Sequence, residues 1–371
     1  MKSASRFLAT SIQHQVGQPP NVQLGLSAAA IARAERAASG MTIGWDAGQG
    51  TVMPLNGWVL SEGRFHKRGH SVNRQKAVGT IREILARSPK FSFYVDMADH
   101  RSKSLLADDG VAAPTFCFNR KKAEPAGRIL WPLPGYHDLG SDGFLGPDIL
   151  RDIPWADKTP KLCWRGGAAG WARLGKHGRG AMIRILPLLR DALDGKYSDD
   201  DVARAMLTID RHRFVAVTQD DPRCDVGYTG LSHPTIDTLP QIEPFRRPGL
   251  SQTDQCRYKY LAVLPGADVG SSFYWTMNSS SLGFVMDTDY ESFASHHFKP
   301  WKHYVPLKRD MSDWEENFAW CEANQDACQD MVAAANQLCQ HLSEPRIRRR
   351  TLNGVVAETA RLMEGRSWQA A

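Results

Sequence analysis

Seven cysteines, an odd number, are scattered through 371 residues without a CxxC pair. That spacing excludes a disulfide framework of the small secreted kind and a zinc knuckle. No stretch approaches the roughly 20 apolar residues that a membrane span needs. The opening "MKSASRFLATSIQHQVG" has too short an apolar run for a secretory signal. Internal repeats and low-complexity tracts are missing as well. Charge of one sign is in only mild excess, at a net +6, which suits a protein that meets nucleotides, phosphates or an acidic membrane face without singling out nucleic acid. The expectation is a cytoplasmic protein whose contact with a membrane is peripheral, at its inner face.

What is present is ordinary globular composition, 42% hydrophobic and 23% charged, in a chain long enough for two cores. "LSAAAIARAERAAS" reads as a helix stopped by Gly40, and "WDAGQGTVMPLNGWVLSEGRFH" as strands and turns. The amphipathic "NRQKAVGTIREILARS" leads into the strand "FSFYVDMADH", and "APTFCFN" reads as a further buried strand. After the proline-bearing crossover "IPWADKTPKL", "KLCWRGG" is a strand feeding a glycine turn, and "GRGAMIRILPLLRDAL" and "SDDDVARAML" have helical spacing. Ser198 and the aspartates after it suit a helix start. "CRYKYLAVLPG" is another strand, and "NFAWCEANQDACQDMVAAANQLCQHL" a long amphipathic helix with Cys321 and Cys328 in its core face. "RIRRR" precedes a last helix, "LNGVVAETARLM". Strands and helices alternate on both sides of the crossover, so the fold class is α/β, with two doubly wound domains facing a cleft. The domain limits are 1–155, 156–340 and a basic C-terminal segment with its helix over 341–371.

Two turns carry chemistry. In "YKYLAVLPGADVGSSFYWTMNSSSLGFVM" small residues follow a buried strand and precede a segment of helical length. There backbone N–H groups can approach a phosphate, with Ser271 and Ser272 as caps or ligand contacts. "CWRGGAAGWARLGKHGRG" repeats the pattern with Arg165, Arg173 and Lys176 added, and a guanidinium matches a diphosphate bidentately. A solvated basic face explains any one of these cations equally well. Asp96 and Asp99, at the end of "FYVDMADH", suit a general base or a turn cap. The DxD triplet of Asp287 and Asp289 resembles the metal-binding pair of some glycosyltransferases, yet such triplets are frequent by chance.

In order and spacing, "WRGGAAGWARL", "YKYLAVLPGADVGSSFYWTMNSSSLGFVM" and above all "KPWKHYVPLKRDMSDWEENFAWCEANQ" resemble glycosyltransferase family 90. Weaker similarity reaches through "ILWPLPGYHD" back to "VDMADH", so the resemblance spans roughly residues 70 to 340. It implies a GT-B arrangement of two Rossmann-like domains and inverting transfer from a UDP-sugar without an obligatory metal or other cofactor. The family's catalytic base falls on Asp99. Its diphosphate arginine falls on Arg173 and its nucleotide-contacting small residue on Gly167. The donor loop covers Gly266, Asp268, Gly270, Ser271 and Ser272, with Arg165 beside it from the residue reading. Trp131 and Tyr136 fall on the acceptor segment as sugar-stacking platforms. The resemblance further implies glucose, xylose or galactose as the sugar and a surface glycan or glycolipid, such as lipopolysaccharide core or capsule precursor, as the bacterial acceptor. This sequence departs from the eukaryotic members at Phe273, where they carry an arginine shortly after the serines, at Gly167 for serine, and at "MADH". The rivals are a catalytically degenerate nucleotide-sugar-binding protein and a nucleic-acid-binding protein using "RIRRR".

Overall fold

Buried strands and amphipathic helices form where periodicity places them, in a computed structural model that describes residues 2–67, 73–99, 103–133, 153–175, 180–230 and 234–365. The chain divides into two compact units, the first Met1–Phe144, Asp289–His297 and Gln340–Ala371, the second Leu145–Thr288 and Phe298–Cys339. Residues 341–371 are therefore no separate segment. The helix Pro345–Met363, which takes in the basic run, packs in the first unit against the helix Lys2–Val16. A Cβ on Gly354 would lie 2.3 Å from Ile12 Cδ1, so the two helices meet closely there because glycine leaves the space. Arg348, from the same basic run, is paired with Glu83 at 2.7 Å.

The first unit's main sheet has strands β1 (Ile43–Asp46), β2 (Thr51–Val52), β3 (Phe93–Val95), β4 (Thr115–Cys117) and β5 (Arg128–Leu130), in the spatial order β5-β4-β3-β1-β2. The pairs β5–β4 and β4–β3 are parallel, while β3–β1 and β1–β2 are antiparallel. The sheet is thus mixed, which corrects the expectation of a fully doubly wound domain here. The short glycine turns of "WDAGQGTVM" close a hairpin instead of a crossover. Edge-on aromatic packing of Phe93 on Phe116 and of Phe116 on Trp131 fixes its interior.

The second unit's sheet comprises β6 (Thr159–Gly166), β9 (Cys224–Tyr228), β10 (Tyr258–Val263), β11 (Leu282–Met286) and β12 (Val305–Leu307). An antiparallel pair, β7 (Trp171–Arg173) and β8 (Met182–Arg184), stands beside it. The five strands are all parallel, in the order β9-β6-β10-β11-β12. By chain sequence that is second, first, third, fourth, fifth, the doubly wound order of flavodoxin-like sheets. Strands buried on both faces need near-continuous apolar runs, and Leu162, Tyr228, Tyr260, Phe284 and Val305 supply them to one core with Trp314 and Phe318.

Two helix expectations change in this unit. Residues 182–184 are strand, not helix, and the helix begins only at Ile185. The predicted long helix is two, Trp314–Ala323 and Gln325–Ser343, broken at Asn324 with φ −130° and ψ 54°. Cys321 and Cys328 are buried, as expected, one in each. Ser198 caps Asp199–Met206 by accepting from the Asp201 N–H at 3.2 Å.

The polar run before β11 is structural. Ser279 Oγ donates to the Thr276 carbonyl at 2.8 Å and accepts from the Ser281 N–H at 3.2 Å. Asn336 donates to the Met277 and Ser279 carbonyls at 3.0 and 2.8 Å. Beneath them the buried Lys158 ammonium donates to the Cys256 carbonyl and, at 3.0 Å, to Ser281 Oγ. Burial lowers the Lys158 pKa to about 8. An unfolded lysine titrates near ~10.4, so between about pH 8 and that value the unfolded chain holds the extra proton. Stability contributed by this group therefore rises with pH across the window. Buried cysteines and tyrosines with raised pKa values pull the other way over the same range, so the contribution reads as a difference. From pH 8 to 10 the denaturant midpoint of wild type should rise relative to that of Lys158→Met, and parallel pH profiles would mean that Lys158 stays charged when folded.

Candidate functional site

In an open parallel sheet, ligands bind at the carboxyl edge where strand order reverses. Here that point lies between β6 and β10, and both strands end there in glycine turns. After β6, Gly167 is open, with no atom within 4 Å of a would-be Cβ. Gly170 has φ +132°, and its would-be Cβ falls 2.6 Å from Ile209 Cγ2. After β10, a Cβ on Gly270 would sit 2.9 Å from Val263 Cγ1 and 3.0 Å from the Leu264 carbonyl oxygen. The second turn therefore folds back on its own strand, with Asp268 buried and Ser271 exposed.

A residue that sequence reading missed ties the two turns. Arg211, in the first turn of the helix Asp210–Thr218, donates from Nη1 to the Gly167 carbonyl at 2.9 Å and from Nη2 to the Leu264 carbonyl at 3.2 Å. Its guanidinium lies over the Trp164 ring, 5.5 Å from the centroid. Burial pulls its pKa down, while Tyr228 and the Asp268 carboxylate raise it. In sequence it is one of two arginines on a helix of weak periodicity, "DRHRFVAVT", so nothing local separates it from a solvated cation.

The expected donor residues fall differently. Arg165 is spent. Its Nη2 pairs with Asp225 at 2.5 Å, its Nε donates to the Pro248 carbonyl at 2.9 Å, and its Nη1 reaches the Trp164 and Asp225 carbonyls. Placing Arg165 on a diphosphate is thereby corrected, because a half-buried acidic neighbour on β9, Asp225, uses its fork. Arg173 ends β7 and is exposed, with its backbone N–H donating to Thr208 Oγ1 at 2.8 Å. Lys176 lies outside the described residues. The segment after the serines is a helix of only five residues, Phe273–Met277, and Ser272 makes no side-chain cap. A helix dipole at this turn is thus weak, and the N–H groups that the turn itself offers are backbone groups. The ring of Phe273 packs edge-on against Tyr274, Phe298 and Tyr304.

In the first unit, Asp96 is buried just past β3. Its Oδ1 accepts from Ser39 Oγ at 2.8 Å and from the Ala98 N–H at 3.1 Å. Asp99, three residues on, is exposed. Trp131 is fully buried; its Nε1–H donates to Glu83 Oε2 at 3.0 Å and the Arg87 guanidinium lies over its ring. This corrects its assignment as a sugar platform, since an indole enclosed by the sheet and an ion pair offers no face. Tyr136 lies outside the described residues. Asp287 accepts the Thr288 N–H at 2.8 Å. Among the described residues no group of three or more His, Cys, Asp and Glu side chains is placed to hold a metal, and no helix is long and apolar enough to cross a membrane.

Residues 241–353, which include the second turn, β10 to β12 and the helices after them, match the model of glycosyl transferase family 90. The chain carries a glycosyltransferase family 90 region. It is 29% identical over 136 residues to O-glucosyltransferase LpsA of Dichelobacter nodosus, covering 36% of this chain and 41% of that one. It is 33% identical over 90 residues to protein O-glucosyltransferase 1 of Rattus norvegicus, covering 24% and 23%. With human protein O-glucosyltransferase 3 the identity is 28% over 92 residues, or 25% and 18%. The chain therefore spans about two fifths or less of these curated relatives. Gly266, Asp268, Gly270, Ser271 and Ser272 fall within the family 90 match, whereas Asp99, Arg165, Gly167 and Arg173 precede it.

Proposed function

We propose that this protein is an inverting glycosyltransferase that moves a hexose or pentose from a UDP-sugar to a hydroxyl of a surface glycan or glycolipid. The observation that carries the reading is the pair of glycine turns at the switch point of a second-first-third-fourth-fifth parallel sheet, the later of them inside the family 90 match. The O-glucosyltransferase names of the relatives favour sugar transfer to oxygen. In this scheme, a GT-B division of labour, the second unit holds the donor. The N–H groups of the 266–272 turn and Arg173 stabilise charge developing on the leaving diphosphate. Asp99, from the first unit, takes the acceptor hydroxyl's proton as its oxygen attacks the anomeric carbon on the face opposite UDP. The anomeric C–O bond to UDP breaks as the new glycosidic bond forms, and configuration inverts.

A panel of UDP-sugars, scored by thermal stabilisation and by hydrolysis, tests the reading directly, because a true donor raises Tm by linkage. Failure of every UDP-sugar to do either overturns it. Stabilisation with neither transfer nor hydrolysis would establish the degenerate binding protein instead.

Two consequences are specific. Transfer should survive EDTA and the combined Asp287→Asn and Asp289→Asn changes, since arginine and backbone donors carry the diphosphate; activity lost on chelation and restored only by manganese or magnesium would assign the phosphates to a metal. Arg173→Ala should weaken UDP binding by about 1.5–3 kcal/mol, the usual value of a hydrogen bond to a charged group. Arg173→Lys should recover part of it, because a point charge lacks the fork. Unchanged UDP affinity in the alanine variant would leave Arg173 a surface charge.

A further inference from the structure

We infer that Arg211 is a ligand-binding residue as well as a staple: its guanidinium completes an anion site that takes the diphosphate of the nucleotide. The identity of the ligand rests on the nucleotide-sugar reading above, while the anion rests on the geometry. Arginine cannot shed its charge, so one drawn into the protein normally meets a carboxylate. Arg120 pairs with Glu291 at 2.7 Å and Arg165 with Asp225 at 2.5 Å. Arg211 instead meets two carbonyl oxygens, one from each turn. Its Nε is shut away from solvent with no hydrogen-bond acceptor among the described residues. Tyr228 and the Asp268 carboxylate act on it through space. A desolvated charge left this incomplete is costly, and an arriving anion repays the cost.

Position and shape agree with that role. Arg211 sits where the two turns of the switch point converge, and a Cβ on Gly266 would come within 2.9 Å of its Nη2. Glycine there keeps the turn's backbone against the guanidinium. The turn 266–273, "GADVGSSF", contains no cation of its own. A diphosphate laid on its N–H groups would draw half-buried positive charge from Arg211, on the helix Asp210–Thr218. Two of the five guanidinium N–H groups hold the turns.

The test compares full-length wild type with Arg211→Gln and Arg211→Lys, using inorganic pyrophosphate, UDP and uridine as probes. Wild type should gain Tm with pyrophosphate and bind UDP more tightly than uridine. In Arg211→Gln the pyrophosphate shift should vanish and the UDP-over-uridine preference should fall about tenfold or more, the order expected for losing a charged donor to phosphate. Arg211→Lys keeps the charge without the fork, should lose less, and serves if the glutamine variant does not fold. A purely structural staple would lower Tm in both variants and leave the UDP-to-uridine ratio and the pyrophosphate shift intact, which overturns the inference and spares the proposed function. Pyrophosphate binding that depends on Arg211, without any UDP preference, supports the anion site and sinks the UDP-sugar reading. Wild type indifferent to both pyrophosphate and UDP overturns both.

Discussion

Asp99→Asn should lower kcat by roughly 10²–10⁴, the contribution of a general base, with donor affinity and Tm nearly unchanged. Asp96→Asn should do the reverse. The two carboxylates leave the same strand end, but their surroundings separate them. Asp96 is 3% exposed, accepts from Ser39 and from the Ala98 N–H, and donates its own N–H to the Phe116 carbonyl at 2.9 Å. It holds the bend that follows β3. An amide there keeps one acceptor oxygen but puts an NH₂ group in place of the other, so it should cost about 1–3 kcal/mol of stability through a badly matched buried group and little of the rate. Asp99 is exposed, so its replacement disturbs no core. Turnover and urea midpoints of both variants, measured in one buffer with a working acceptor, check the pair of expectations. Normal turnover in the Asp99 variant, with the Asp96 variant folded and inactive, would move the base to Asp96.

That contrast shows how far the sequence was legible. Short apolar runs placed β3, β4, β6 and β10, and a serine followed by aspartates marked the helix at Asp199. Such signals are local, and local physics decided them. The two glycine turns were legible for the same reason, since buried strands ending in small residues can only turn tightly. What escaped was set by distant partners. Arg165 looked like a phosphate ligand until Asp225, far along the chain on β9, took up its fork. Arg211 looked like a surface cation, although tertiary packing closes it between two turns. Trp131 carried the composition of a stacking platform, but burial is a property of the sheet around it. Residues 182–184 had helical spacing, yet β7 offered them a ladder to join.

The first turn allows the sharpest separation of framework from ligand contact, because its glycines differ in what surrounds them. Gly170→Ala should cost about 2–5 kcal/mol of stability. Its φ of +132° is strained for any side chain, at about 1–3 kcal/mol, and the new methyl would meet Ile209 Cγ2 at 2.6 Å, an overpacking of similar cost. Ile209 directly precedes the helix that carries Arg211, and the Gly170 carbonyl accepts the Ile185 N–H at 3.2 Å. The strain would therefore spread to the segment that braces both turns, and UDP affinity should fall with stability. Gly167→Ala should behave otherwise. No atom lies within 4 Å of the added methyl and the backbone angle is not strained, so stability should stay within about 0.5 kcal/mol. If the nucleotide passes over Gly167, however, that methyl occupies its space, and UDP should bind about tenfold more weakly or worse, the scale of a one-methyl overpacking. Urea unfolding and UDP titration of the two variants separate the effects. A Gly167→Ala protein with full UDP affinity would take Gly167 out of the donor site, and an undiminished Gly170→Ala protein would mean that the turn after β6 does not brace the helix of Arg211.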